Sequence, residues 1–147
     1  KNWIVALDRK QPASLLWGDG EKTKRIEGFT GRATAVASSA KLVVFSTTTG
    51  MWKWNPTRSK PVHWIKWKSD APTVLSMVVS EFGTYTSTSE GLIRWPDGKK
   101  MSRANTKAAS LSIRGKQLMA LWEDDVLELR SLKTGKVQTT TKVPRTK

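Results

Sequence analysis

A short phrase recurs along the chain at a nearly constant interval, and this repeat limits the possible folds more than any other feature. The segments "GMWKW" (Gly50 to Trp54) and "GLIRW" (Gly91 to Trp95) each join a turn glycine to a strand that ends in tryptophan. "DVLEL" (Asp125 to Leu129) is a third copy, and "ASLLW" (Ala13 to Trp17) is a weaker fourth. An interval of roughly 35 to 45 residues is the length of one repeated supersecondary unit, so the spacing predicts a repeat architecture.

Each copy stands in the same order of strand-like runs. β-Branched residues, serine and aromatic residues dominate, and no segment keeps helical periodicity over several turns, so the chain is predicted to be all-β. The third unit contains the runs "TVLSMVVS", "GTYTSTS", "GLIRW" and "KMSRA". The second contains "ATAVAS", "KLVVFS", "MWKW" and "PVHWIKW", and the fourth "AASLSI", "QLMALW", "VLEL" and "VQTTTKV". The first unit has three runs, "NWIVAL", "SLLW" and "KTKRIE", so we expect its innermost strand to be missing.

Four strands per unit at this interval predict β-propeller blades, about three complete and one partial. We expect the partial propeller domain to cover residues 1–143 and a basic tail to cover 144–147. A β-barrel or sandwich is the alternative fold. Three blades and a part of a fourth are fewer than propellers usually need to close, and an open array exposes strand edges and blade faces. We therefore expect a second copy, another chain or a further part of the same protein to complete the ring, although a four-bladed ring is an alternative.

Two phrases resemble a known group of repeats. "LRSLKTGKV" (Leu129 to Val137) is similar to the strand-and-turn phrase at the outer side of WD-repeat and PQQ-like β-propeller blades. "EGLIRWPDGK" (Glu90 to Lys99) resembles a degenerate version of the same phrase. The resemblance extends over nearly the whole chain as a pattern, and it implies a propeller that serves as a binding or scaffold module.

The charge of the chain predicts acidic partners. It has 26 Lys and Arg against 12 Asp and Glu, a formal net charge of +14. In a propeller blade, the turns between the first and second and between the third and fourth strands emerge on one face. Eleven basic residues are predicted on that face: Lys22, Lys24, Lys41, Arg58, Lys60, Lys99, Lys100, Arg114, Lys116, Lys133 and Lys136. They are candidates for contacts with RNA or DNA phosphates, although lysines also occur in turns simply because turns are in water.

The tryptophans divide into two predicted groups. Strand alternation places Trp52 and Trp54 on one face of "MWKW". Four tryptophans at corresponding strand ends are predicted to belong to the core: Trp17, Trp54, Trp95 and Trp122. Trp64 and Trp67 lie beside lysines on a presumed outer strand, so they are the candidates for stacking on bases.

Sites for catalysis, metals or cofactors are not predicted. The single histidine, His63, lies in a strand-like run and has no second histidine or cysteine as a partner. "WEDDVLE" (Trp122 to Glu128) clusters acids but lacks the spacing and glycine of a calcium loop, so it is predicted to be a polar turn. The chain has no cysteine, which fits a reducing compartment.

No apolar run approaches the roughly 20 residues that span a bilayer. The sequence therefore predicts an intracellular, cytoplasmic or nuclear, non-enzymatic binding module whose basic face contacts RNA or DNA within a larger complex. The alternative is a protein–protein scaffold that recognises acidic partners or completes a propeller with another chain.

Overall fold

The structure is a computed structural model that describes residues 4–7, 15–58, 60–69, 71–101 and 106–145, with Ile4 described by its backbone alone. Over these ranges the chain forms four antiparallel sheets in which each strand pairs with its neighbours in sequence. The first sheet has three strands within the described ranges, and the other three have four each. The predicted all-β fold, with three complete four-stranded units and one partial unit, is confirmed.

The chain divides into an N-terminal unit, Lys1–Thr73, and a C-terminal unit, Val74–Lys147. The N-terminal unit contains the first two sheets. The first sheet consists of β1 (Ile4–Leu7), β2 (Leu15–Gly18) and β3 (Thr23–Ile26). The second sheet consists of β4 (Ala33–Ser38), β5 (Val43–Thr47), β6 (Gly50–Trp54) and β7 (Val62–Lys66).

The C-terminal unit contains the other two sheets. The third sheet consists of β8 (Val74–Ser80), β9 (Gly83–Thr88), β10 (Gly91–Trp95) and β11 (Lys99–Met101). The fourth sheet consists of β12 (Ala108–Arg114), β13 (Gln117–Trp122), β14 (Val126–Ser131) and β15 (Val137–Lys142).

The three complete sheets share a detail that the sequence pattern did not reveal. The first strand of each sheet has a register shift one residue after its start, which leaves Thr34, Leu75 and Ala109 out of the pairing. Such bulges bend and twist the strand locally. Because the shift recurs at the same place, the repeat read from the tryptophan spacing is also a repeat of backbone geometry.

An aromatic cluster joins the two sheets of the N-terminal unit. Leu15 of the first sheet is fully buried and packs with Phe45, Trp52 and Trp54 of the second. Phe45 and Trp52 lie parallel, 6.3 Å apart and 4° between planes, and Phe29 meets Phe45 edge-on at 4.9 Å. The predicted common face of Trp52 and Trp54 is confirmed, because both belong to this cluster.

A second cluster joins the two sheets of the C-terminal unit. Leu118, Ala120 and Trp122 alternate along β13 and pack with Tyr85 and Leu92 of the third sheet. Hydrogen bonds reinforce this contact: the Tyr85 hydroxyl donates to the Leu132 carbonyl at 2.8 Å, and the Ser87 hydroxyl to the Ala108 carbonyl at 2.5 Å. Each unit therefore has its own core between two sheets.

Two sequence predictions differ in detail from the structure. Trp54 and Trp122 are buried as predicted, whereas Trp17 and Trp95 are only half-buried, although Trp17 still packs against the aromatic cluster of the N-terminal unit. The fourth strand of the third sheet begins at Lys99, earlier than the predicted "KMSRA". It does so because the turn over 96–98 closes the hairpin directly, and residues 102–104 of that phrase lie outside the described ranges.

Candidate nucleic-acid interface

All eleven basic residues predicted to contact nucleic acid are exposed, but they do not all lie in turns. Seven are in connections between strands: Lys22, Lys41, Arg58, Lys60, Lys116, Lys133 and Lys136. The other four lie on strands: Lys24, Lys99, Lys100 and Arg114. Lys100 pairs with Glu90 at 2.6 Å, so a neighbouring carboxylate partly balances its charge.

Three connections of the N-terminal unit meet around one cavity of about 510 Å³. The β2–β3 turn contributes Asp19, the β4–β5 turn contributes Ala40 and Lys41, and the β6–β7 loop contributes 55–57, while Trp17 also lines the space. In this unit the structure therefore brings together the turns that were predicted to share a face. The lining carries both an acid and a base, so the cavity itself is not an anion site.

Hydrogen bonds and packing fix the connections that carry the other basic residues of this unit. The Asp19 carboxylate accepts the backbone N–H groups of Glu21 and Lys22, both at 3.1 Å, which fixes the turn. The aliphatic stem of Lys60 lies against Gly28. The Arg58 carbonyl accepts the Trp54 indole N–H at 3.0 Å, so the loop backbone is held by the buried core.

In the C-terminal unit, a backbone hydrogen bond joins two connections that carry basic residues. The Leu132 N–H donates to the Lys116 carbonyl at 3.0 Å, which joins the β12–β13 turn to the β14–β15 turn. We call these two segments, 114–116 and 133–136, the basic turn pair. It contains Arg114, Lys116, Lys133 and Lys136, all exposed, and neither segment contains an acidic residue. Four positive charges thus lie in two segments that a hydrogen bond joins.

A buried ion pair supports the basic turn pair, and the sequence reasoning missed it. Glu128 and Arg130 have side chains only 3% and 8% exposed, and Glu128 Oε2 lies 2.7 Å from Arg130 Nη2 and 2.8 Å from Arg130 Nε. Arg130 Nη1 also donates to the Gly135 carbonyl at 3.0 Å, inside the second turn. The sequence did contain a signal for this pair. Glu128 and Arg130 are two residues apart on β14, so they lie on one face of the strand, and this is the buried face shared with Trp122.

The single tyrosine offers a direct probe of this region. Burial raises the pKa of Tyr85, whose hydroxyl donates to the Leu132 carbonyl next to Lys133. We expect its tyrosinate absorbance to appear at a higher pH in the folded protein than in urea. Because the neutral form is favoured in the folded state, its contribution to stability is complete below the unfolded pKa of about 10 and is lost as pH rises through the raised folded pKa.

The comparison that isolates this effect is Tyr85→Phe, which we expect to lower the free energy of unfolding by about 1 kcal/mol at neutral pH. Between wild type and the variant, the difference in unfolding free energy should shrink above pH 10. A difference that stayed constant across that range would contradict the assigned hydrogen bond.

The two tryptophans proposed for base stacking already have contacts within the protein. The Lys53 Nζ lies 3.9 Å from the centre of the Trp64 ring, and burial lowers the pKa of Lys53. The Trp67 indole N–H donates to the Thr47 carbonyl at 2.8 Å. Both rings are half-buried, and base stacking by either stays a prediction.

The single histidine belongs to the aromatic cluster. His63 stacks on Trp52, with the ring centres 3.9 Å apart and 8° between planes. Among the described residues its Nε2 is buried and has no hydrogen-bond partner.

The acidic phrase is a hairpin turn, as predicted. Asp125 has a positive φ of 64° and occupies the position of the turn glycines Gly50 and Gly91. Its carboxylate pairs with Arg145, and this hydrogen bond raises the pKa of Arg145. Arg145, which belongs to the predicted basic tail, is therefore held at this turn. Within the described ranges, no group of three or more His, Cys, Asp or Glu side chains is arranged to hold a metal ion.

No helix in the described ranges is long and apolar enough to cross a membrane. No protein-family model matches the sequence, and no curated protein matches it significantly.

Solved structures do resemble the chain. It is similar to the computationally designed Ika8 protein, with a TM-score of 0.71 and 12% identity over 97% of this chain and 46% of the other. It is also similar to the designed Ika4 protein (TM-score 0.60, 14% identity, 79% and 76% covered). A third similar structure is the β-propeller domain of Cps50 (Swd1) from Myceliophteria thermophila (0.65, 12%, 98% and 58%).

The chain thus spans about half the length of the Ika8 protein that it matches. At these identities the likeness concerns the fold, and it confirms the predicted resemblance at that level, while membership of the WD-repeat or PQQ-like group stays a prediction. Over the described residues, the chain is built from β-propeller blades, three with four strands and one with three.

Proposed function

We propose that this propeller chain is a non-enzymatic binding module that contacts RNA or DNA through the basic turn pair. The observation that carries the proposal is the hydrogen bond that joins the two segments of the basic turn pair, which contain Arg114, Lys116, Lys133 and Lys136. Contacts from lysine and arginine to phosphate supply sequence-independent affinity, with release of counterions as the source of free energy.

The support beneath these turns favours a preorganised anion site. Arg130 and Tyr85 hold the carbonyls of Gly135 and Leu132, so the backbone that carries Lys133 and Lys136 is fixed before a ligand binds. Less conformational entropy is then lost on binding than with a free tail of the same charge. Because the backbone phosphate is the same for every nucleotide, we expect little base-specific readout. We place the protein in the cytoplasm or nucleus with its RNA or DNA ligand.

The test is a series of binding measurements with labelled RNA and duplex DNA of mixed sequence over a range of salt concentrations. The double variant Lys116→Gln, Lys133→Gln should bind more weakly, and the slope of log K against log salt should fall by about 2. The matched control is Lys107→Gln, Lys142→Gln, which changes net charge equally at the opposite ends of β12 and β15.

The control should retain most of the affinity. Absence of salt-sensitive binding to either nucleic acid at low ionic strength would contradict the proposal, as would an equal loss in the two double variants. Binding to polyglutamate but not to RNA or DNA would support the acidic-protein scaffold instead.

A further inference from the structure

Arg94 is a half-buried arginine whose guanidinium group has no acceptor in the described ranges. It lies on β10 of the third sheet, and its Nε atom is buried without a hydrogen-bond partner. No described carboxylate forms an ion pair with it, including those of Glu81 and Asp97 in the adjoining turns. A buried donor without an acceptor is destabilising, and arginine cannot relieve that cost by losing its proton. A bound anion would supply the missing acceptor.

The strand register places Arg94 on the face of the third sheet that packs on the fourth. Arg94 pairs with Tyr85 on β9 and with Lys99 on β11, and paired residues of antiparallel strands point to the same side. Tyr85 is fully buried in the core between these two sheets, whereas Lys99 is exposed. The side chain of Arg94 therefore lies where this core meets solvent.

The second segment of the basic turn pair, 133–136, packs on the same face. A Cβ added to Gly135 would lie 2.6 Å from Met101 Sδ and 3.7 Å from the Tyr85 hydroxyl oxygen, so the backbone of this turn touches the third sheet directly. Tyr85 is on β9 and Met101 is on β11, the two strands that flank β10. The turn that carries two lysines is therefore held against the strands on both sides of Arg94.

The charges of this core do not balance. Glu128 is the buried acid of the described core, and its carboxylate is paired with Arg130. Arg130 lies on the facing side of the fourth sheet, because it pairs with the buried Leu118 of β13. Two guanidinium groups thus face one interface that holds a single buried carboxylate, and the charge of Arg94 is left without a counterion.

The corresponding residue of the second sheet shows how the chain can satisfy a cation at this position. Lys53 follows the hairpin glycine Gly50 by three residues, as Arg94 follows Gly91. The Lys53 Nζ lies 3.9 Å from the centre of the Trp64 ring, and the face of an aromatic ring attracts a cation. Arg94 has no such contact with any described ring. The position is basic in both repeats, but only in the second sheet is an internal partner present.

We infer that Arg94 binds a backbone phosphate of the RNA or DNA ligand, so that the bound strand runs from the basic turn pair past Arg94 and Lys99 on the third sheet. The inference rests on the proposed function and adds an anchoring residue to it. Nε is the only Arg94 nitrogen among the buried unpartnered atoms, so the Nη groups are open to solvent. The planar guanidinium donates to two phosphate oxygens at once, which a lysine cannot do in the same geometry.

The binding test compares wild type with Arg94→Met on labelled RNA and duplex DNA over a salt series. Methionine retains an apolar stem and removes the charge and the donors. The variant should bind about 10-fold more weakly, and the slope of log K against log salt should fall by about 1. Lys142→Met is the matched control, because it removes one charge from an exposed position on β15, and it should retain most of the affinity.

The outcomes separate this inference from the proposed function. Equal binding by Arg94→Met and Lys142→Met, with weakened binding by the Lys116→Gln, Lys133→Gln variant, would overturn the inference and leave the proposed function standing. Absence of salt-sensitive binding by the wild type would overturn both.

A stability measurement distinguishes phosphate binding from a structural role of Arg94. Because Arg94 has no internal partner in the described ranges, Arg94→Met should keep or raise the urea midpoint in chloride buffer. Inorganic phosphate at equal ionic strength should raise the midpoint of the wild type by more than that of the variant, since the general salting effect of phosphate acts on both. A lower midpoint of Arg94→Met in chloride, or equal effects of phosphate, would contradict the inference.

The single tyrosine gives a spectroscopic signal of the bound anion. Burial raises the pKa of Tyr85, and the positive charge of Arg94 opposes that rise. A phosphate bound to Arg94 cancels part of the opposing charge, so inorganic phosphate should move the tyrosinate absorbance of the wild type to higher pH. Arg94→Met should titrate at higher pH than the wild type and should not respond to phosphate. A wild-type titration that phosphate leaves unchanged would count against the site.

Discussion

Replacing Arg130 with methionine is expected to lower the free energy of unfolding by about 3–5 kcal/mol, the largest effect of any single substitution considered. The change leaves the Glu128 carboxylate buried without its guanidinium partner, and it removes the hydrogen bond to the Gly135 carbonyl. Urea denaturation followed by tryptophan fluorescence measures the loss. The midpoint should fall strongly for a domain of this size, because total stabilities are only about 5–15 kcal/mol.

The control for this prediction is the double variant Glu128→Leu, Arg130→Met. Both buried charges are then absent, so most of the lost stability should return, as it does when a buried ion pair is replaced by apolar side chains. A double variant as unstable as the single one would show that the pair is not the cause. Because Arg130 also holds the second turn of the basic turn pair, the folded double variant should bind nucleic acid more weakly.

Gly50→Ala is expected to be the second most damaging change, with a loss of about 3 kcal/mol. An added Cβ would overlap the backbone carbonyl of Ile65 and the His63 ring, neither of which can move freely, because β6 pairs with β7 here and His63 stacks on Trp52. The φ of Gly50 is also positive, at 158°. Thermal or chemical unfolding of the variant measures the loss.

The chain provides a matched control at the corresponding position of the next repeat. Gly91 also begins the third strand of its sheet and has a positive φ of 117°, but a Cβ there would meet nothing within 4 Å. Gly91→Ala should therefore cost only the backbone strain, about 1 kcal/mol, and should be clearly less harmful than Gly50→Ala. Equal losses would show that the overlap at Gly50 relaxes easily.

The comparison of these two glycines shows how far the sequence could be interpreted. The repeat aligned Gly50, Gly91 and Asp125, and the structure gives all three a positive φ at the same hairpin turn. The alignment did not reveal which position is crowded, because the crowding at Gly50 comes from the fourth strand of the sheet. The same limit applies to the basic residues. Their exposure could be predicted from the residue type, but the hydrogen bond that joins the Lys116 turn to the 133–136 turn could not.

The sequence by itself determined the all-β class, the order of the strands and the number of blades, because strand alternation and turn residues act over a few positions and the repeat multiplies that local signal. Tertiary structure alone decided the burial of the Glu128–Arg130 pair and the joining of two basic turns. These features depend on which sheet packs on which side of another. A strand with the pattern of β14 has the same local signal whether the face that carries Glu128 and Arg130 is buried or exposed.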